Sequence, residues 1–279
     1  MALGPWLTTD DKLAVCKVLD EGDLMSGKRV QQLEERLAEY FGKRHAVCVS
    51  SGTAALECAF VATGEGEYID HKGFVAILSA ARAAGRAPKC DKGGPGTMTD
   101  VLGVEAHAYG RVHDCAHRFD KGAAHAEVSC GSFAPNKFIA ACGGWLVTND
   151  SVVASTARQY RNHGRDGGPE CYREGRNLRM GEINAALALS QLARIKEILE
   201  RRKQVAEWYL EILGLNYRPR ESWFLFDVYR PGHKHRSLAD FRLFNTATQE
   251  DRDTALLPVW PCMTREEVEA IVRELPCKS

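Results

Sequence analysis

The chain predicts an α/β layer fold built on a mostly parallel central sheet, with a smaller α+β unit at the C-terminal end. Short apolar runs alternate with segments of helical period through the first part, the pattern of strands joined by crossover helices. The texture then changes after Gly214, which divides the chain into 1–213 and 214–279. At 279 residues there is room for one large domain and a small second one.

The elements follow in order. KRVQQLEERLAEYF (28–41) carries Val30, Leu33, Leu37 and Phe41 at helical spacing, and Gly42 ends it. HAVCVS (45–50) reads as a short buried strand, and a helix starts within Ser51 to Thr53. FVAILSAARAA (74–84) reads as a helix closed by Gly85, and DKGGPGTMTD (91–100) as a loop. VLGVEAHAYG (101–110) and RVHD (111–114) read as strands, as does WLVTND (145–150) with its polar turn. SVVASTARQYRNHG predicts a helix broken at Gly164, and RDGGPECYREGRN a loop. One long helix is expected from Glu182 to about Leu213, with Ile183, Ala186, Leu187, Leu192, Ile195, Leu199, Val205 and Trp208 on one face. Its charged stretch RIKEILERRK reads as a solvated face. WFLFDVYR (223–230) is strand-like. TREEVEAIVREL (264–275) is an amphipathic helix with Thr264 and Glu267 as a capping box.

Composition narrows the function. Hydrophobic residues make up 44% and charged residues 27%, an ordinary balance for a soluble globular protein. Thirty-seven basic residues match thirty-seven acidic ones, which argues against nucleic acid or an anionic membrane as partner. No apolar run is long enough to span a bilayer, and MALGPWLTTDDKL lacks the basic and apolar regions of a secretory signal. Ten cysteines occur without a CxxC, scattered singly among apolar neighbours; they read as small buried hydrophobes in a reducing cytoplasm, with metal binding and disulfides as the other readings.

Chemistry concentrates in four places. In SFAPNKFIAACGGWLVTND (132–150), Lys137 lies five residues after Ser132 in a small-residue, apolar setting. Desolvation favours the neutral amine of such a lysine, the form that attacks an aldehyde. In VSSGTAAL, Gly52 permits close backbone approach and Thr53 offers a hydroxyl and an amide at a helix N-terminus, where an anion such as phosphate is favoured. On its own this is also an ordinary helix cap. In VHDCAH, Asp114 ends a short strand, the usual place for ligand residues in an open α/β sheet. A carboxylate there can hold a pyridinium proton, and His117 can bond a ring hydroxyl. A loop-start aspartate and a packed histidine are the plain alternative. Phe74 opens its helix and can stack on a flat cofactor or fill the core.

In order and wording these pieces resemble the DegT/StrS sugar aminotransferases, enzymes of the aspartate aminotransferase fold (fold type I) that use pyridoxal 5'-phosphate (PLP). The matching segments are SGKRVQQLEERLAEYFGKRHAVCVSSGTAAL, GFVAILSAARAAGRAP, HDCAH, GSFAPNKFIAACGGWLVTND, RQYRNHGRD, GRNLRMGEINAALALSQL and LPVWPCMTREEVEAIV, spread over nearly the whole chain. The resemblance implies a three-layer PLP-transferase fold. It implies that Lys137 forms the aldimine with the cofactor, that Asp114 pairs with the ring nitrogen, that Phe74 stacks on the ring and that His117 meets the ring hydroxyl. It places Gly52, Thr53 and Ser132 on the phosphate. Asn177 would reach the phosphate of a neighbouring subunit's cofactor, which implies a homodimer with shared sites. The implied reaction passes an amino group, usually from glutamate, through pyridoxamine phosphate to a nucleotide-linked keto sugar, in the cytoplasm, with no metal.

The chain is shorter than the family pattern in two places. Only twenty-five residues separate Pro88 from Asp114, and the stretch from Arg218 to Leu257 is trimmed. DHKGF also stands where an apolar strand and a proline-containing turn are expected. Scaffold and substrate-facing surface are lost and the cofactor positions spared. Two alternatives stay open: a PLP aminotransferase for another small ketone (a cyclitol or nucleoside-type one), and a degenerate ligand-binding homologue. A PLP sugar dehydratase is disfavoured, because those relatives carry histidine where Lys137 stands.

Overall fold

The computed structural model describes residues 5–25, 27–70, 73–91, 98–99, 110–216, 223–229 and 249–276. Helix α1 (Thr9–Glu21) starts at a capping box between Thr8 and Asp11 and stops at Gly22 in the left-handed region. Thr8 and Asp11, three apart in LTTDD, are the sequence signal for it, which apolar periodicity does not show. Helix α2 (Lys28–Phe41) has no side-chain cap of its own at Gly27. Glu182, wholly buried, supplies one from far along the chain, accepting from the N–H groups of Gly27, Arg29 and Val30 at 2.8, 2.9 and 3.0 Å.

Strand β1 (His45–Val49) leads into helix α3 (Gly52–Thr63), where the Ser51 hydroxyl caps the Ala54 N–H. Then come β2 (Tyr68–Asp70), α4 (Val75–Ala83), β3 (Lys89–Asp91), β4 (Met98–Thr99) and β5 (Val112–Asp114). After a 3-10 turn at Lys121–Ala124 follow β6 (Val128–Ser132), β7 (Gly144–Thr148) and α5 (Ser151–Tyr160), the last capped by Asp150. Helices α6 (Glu182–Ala193) and α7 (Ile195–Leu213) precede β8 (Leu225–Tyr229), α8 (Gln249–Asp253), β9 (Thr254–Pro258) and α9 (Arg265–Arg273).

The main sheet has the order β1-β7-β6-β5-β4. Pairs β4–β5 and β5–β6 are parallel, while β7 is antiparallel to both its neighbours. Every strand but β7 therefore runs one way, as the predicted mostly parallel sheet requires. Alternation along the strands builds two cores. Ala46, Cys48, Trp145 and Val147 face one cluster with residues of α2 and α6. Val47, Val49 and Leu146 face the other with residues of α3, α4 and α5. The result is a three-layer α/β/α body. A third cluster joins Val205, Ala206 and Tyr209 of α7 to Phe226 of β8, Leu257 of β9 and Val268 of α9.

Several sequence expectations need correction. The long helix from Glu182 is two helices, interrupted at Arg194 (φ −113°, ψ 23°), whose side chain is drawn to the Trp6 carbonyl and to Asp11. The charged stretch RIKEILERRK is not uniformly solvated, since Arg202 is only 1% exposed. Helix α5 ends at Tyr160 rather than Gly164, and His163 takes a left-handed conformation at the turn that follows. The stretch 91–100 is not all loop: Asp91 ends β3, and β4 pairs with β5 as an edge strand held by backbone bonds rather than by an apolar pattern. The strand expected over 101–110 lies outside the described residues apart from Gly110. Of the described cysteines, Cys48, Cys58, Cys115 and Cys130 are buried, whereas Cys16, Cys142, Cys171 and Cys262 are exposed, contrary to a uniformly buried set. Among the described residues no helix is long and apolar enough to cross a membrane.

Candidate active site

The ends of β1, β5 and β6 and the starts of α3 and α4 converge on a cavity of about 300 Å³. That volume is at the small end of the range for cofactor-sized ligands. Its lining includes Gly52, Thr53, Phe74, Asp114, His117, Ser132 and Lys137. Seven of the eight positions singled out from the sequence thus share one wall.

Local folding explains each placement. Strand β1 ends in the Ser51 cap, so α3 begins with Gly52 and Thr53 presenting main-chain N–H groups that have no acceptor within the helix. A β-carbon on Gly52 would stand 2.7 Å from Cβ and 3.1 Å from Oγ of Ser132, so the α3 start and the β6 end meet only because residue 52 is glycine. The paired glycine works similarly from β7: a β-carbon on Gly144 would run into the Ser51 carbonyl and the Gly52 nitrogen. The Ser132 hydroxyl accepts from the Ala134 N–H at 3.1 Å, which leaves its own proton to donate. These groups form an anion cradle.

Asp114 ends β5 and is 6% exposed. The Ala116 N–H donates to its Oδ1 at 3.0 Å. Lys137 follows in the turn after β6, where its N–H donates to the Ala134 carbonyl at 2.8 Å. Its ammonium lies 4.2 Å from the centroid of the Phe224 ring. That ring also stacks on His117 at 4.1 Å with 13° between planes. Phe74, at the N-cap of α4, is half-exposed at the cavity.

Asn177 stands apart. It is exposed, outside the cavity lining, and its Oδ1 accepts from Arg179 Nε at 3.0 Å. Several lining residues escape the sequence reading, Phe224 and Ser51 among them. Phe224 lies just before β8 and touches both Lys137 and His117; its only signal is the aromatic pair opening WFLFDVYR. Ser51 lines the cavity as the α3 cap.

The donor set fits PLP: an anion cradle for the phosphate, a buried carboxylate for a protonated ring nitrogen, and an amine for the aldehyde.

Comparisons with known proteins agree. Residues 5–90 and 103–219 match the model of the DegT/DnrJ/EryC1/StrS aminotransferase family, and the gap falls in the shortened stretch before Asp114. The chain is 27% identical over 255 residues to the GDP-perosamine synthase of Caulobacter vibrioides, covering 75% of this chain and 69% of that protein. It is 27% identical over 243 residues to the UDP-4-amino-4,6-dideoxy-N-acetyl-beta-L-altrosamine transaminase of Campylobacter jejuni, covering 70% of this chain and 65% of that one. The chain thus spans about two thirds of the length of these relatives. Among solved structures, Helicobacter pylori PseC, an aminotransferase of pseudoaminic acid biosynthesis, superposes with a TM-score of 0.81 at 23% identity, over 98% of this chain and 97% of that one. The ntda protein of Bacillus subtilis, solved with its cofactor PMP bound, gives 0.76 at 19% identity, over 96% and 82%. The chain belongs to the DegT/DnrJ/EryC1/StrS aminotransferase family.

Proposed function

We propose that this chain is a PLP-dependent aminotransferase that moves an amino group from glutamate to a nucleotide-linked keto sugar in the cytoplasm. It acts as a homodimer whose Asn177 serves the neighbouring subunit's site, with 1–213 as the cofactor-binding domain and 214–279 as the small one. The observation that carries this reading is that Lys137, Asp114 and the Gly52–Ser132 cradle line one cavity.

Bound there, PLP supplies an aldehyde open to amines and a ring that accepts the electron pair left when a proton leaves the substrate carbon. The chain's residues do the rest. The N–H groups of Gly52 and Thr53 and the Ser132 hydroxyl hold the phosphate. Asp114 keeps a proton on the ring nitrogen. His117 bonds the ring hydroxyl, and Phe74 covers the ring face at the cavity mouth. The Lys137 amine would meet the aldehyde and, when free, would hold the proton taken from the substrate carbon, a task suited to an amine whose proton affinity responds to its surroundings.

The test starts with colour. Protein mixed with PLP turns yellow, borohydride bleaches it, and peptide mapping finds the adduct on Lys137. Glutamate then converts the absorbance to that of the amine form, and a panel of nucleotide keto sugars restores it. A Lys137→Ala protein that keeps full transaminase activity would refute the proposal.

A further inference from the structure

Arg202 of α7 is almost wholly enclosed, 1% exposed. One terminal nitrogen donates to the carbonyls of Trp223 and Phe224, both at 3.2 Å, and the other to the carbonyl of Lys137 at 3.0 Å. The guanidinium lies 4.8 Å from the Phe138 ring centroid and 5.8 Å from that of Trp260. Among the described residues no carboxylate pairs with it, and Nε has no hydrogen-bond partner. Burial lowers its pKa from the ordinary value. Enclosing an uncompensated cation is costly, and an apolar side chain of similar volume generally stabilises such a position better. Stability alone does not account for an arginine here.

Its bonds reach two segments far apart in sequence. One carries the reactive amine; the other carries the ring against which that amine rests, the same ring that stacks on His117. The turn beyond Lys137 is held from α6 as well. Gln191 accepts from the Ala140 N–H at 2.8 Å and donates to its carbonyl at 3.1 Å, and Asn184 donates to the Ala141 carbonyl at 2.8 Å. With that turn fixed from one side, the Arg202 fork sets its distance from the small unit.

We propose that Arg202 is a positioning residue: its planar fork fixes the Lys137 backbone against Phe224 and so sets where the amine stands in the cavity. This rests on the reading of Lys137 as the group that meets the PLP aldehyde. Lysine cannot replace it fully, because a single ammonium cannot span three carbonyls in two segments.

The experiment measures two quantities on purified chain. One is the rate at which PLP becomes a borohydride-stable adduct on Lys137. The other is the affinity for pyridoxamine phosphate, which has no aldehyde and needs no bond to lysine. Arg202→Met slows capture about ten- to a hundredfold, the scale of a misplacement near 1 Å, and leaves pyridoxamine phosphate affinity unchanged. Arg202→Lys recovers part of the rate. Phe224→Leu, which keeps the carbonyl that Arg202 binds, slows capture in the same direction, and it decides the matter alone should Arg202→Met fail to fold. Wild-type capture rates in these variants would overturn the proposal, as would equal loss of capture and of affinity, the sign of a general support. A wild-type chain that forms no adduct at Lys137 would instead remove the aminotransferase reading, and this proposal with it.

Discussion

Gly52→Ala separates two opposed effects. The backbone at residue 52 is helical, and alanine in a helix is favoured over glycine by about 1 kcal/mol. On propensity alone the change stabilises. The added carbon, however, would stand 2.7 Å from Ser132 Cβ, about 0.7 Å inside the 3.4 Å at which ordinary contact begins. Neither atom is the end of a flexible chain: one sits at the start of α3, the other at the end of β6. Overpacking of this kind costs about 1–3 kcal/mol, so the clash outweighs the propensity gain and the net change is destabilising. Urea denaturation reads the sign. Ser132→Gly in the same chain removes the obstructing Cβ and is expected to recover most of the lost stability, a coupling that a double-mutant cycle measures. It does not restore the affinity for inorganic phosphate, because the hydroxyl is gone. A Gly52→Ala protein more stable than wild type, or a double variant no better than the single one, would show that α3 and β6 do not meet as described.

Two further outcomes are expected. Glu182→Ala strips the acceptor from three N–H groups at the start of α2 and should cost about 2–4 kcal/mol in urea denaturation; a loss below about 1 kcal/mol would mean that the buried carboxylate does not organise that helix. Burial pushes the Cys58 thiol from 9.0 to about 12, and drives those of Cys48 and Cys130 well up. The folded chain therefore keeps protons that the unfolded chain releases, and stability falls as pH rises past about 9; a flat stability profile between pH 8 and 10 would contradict the burial of these thiols.

Much of the site was legible because its parts are local. Gly52 and Thr53 follow a strand and open a helix, Asp114 ends a strand, and Lys137 sits in a small-residue turn; each statement needs only neighbouring residues. Phe224 and Arg202 are different. Phe224 meets Lys137 across 87 positions, a separation no periodicity or spacing rule encodes. Arg202 lies in a run of alternating charges that resembles any solvated helix surface, and only the fold places it inward. The break at Arg194 was hidden for a related reason: apolar spacing continues through it, while the cause lies in Asp11 and Trp6 at the other end of the chain. β4 is hidden because its two residues lie in DKGGPGTMTD, whose glycine and proline content signals loop. Asn177 shows the converse limit: within one chain it lies outside the cavity and its side chain accepts from Arg179 Nε.

The single reversed strand has a bearing on how the protein is made. Residues 45–49 wait for residues 144–148, so His45 finds Thr148 only after 103 further positions. At ordinary synthesis speeds of 5–20 residues per second, the first strand of the sheet remains an open edge for about 5–20 s before its neighbour exists. During that interval an emerging chain exposes HAVCV, a segment without charge after its histidine. Truncated translation products ending before Gly144 should accordingly be the species that aggregate or recruit chaperones.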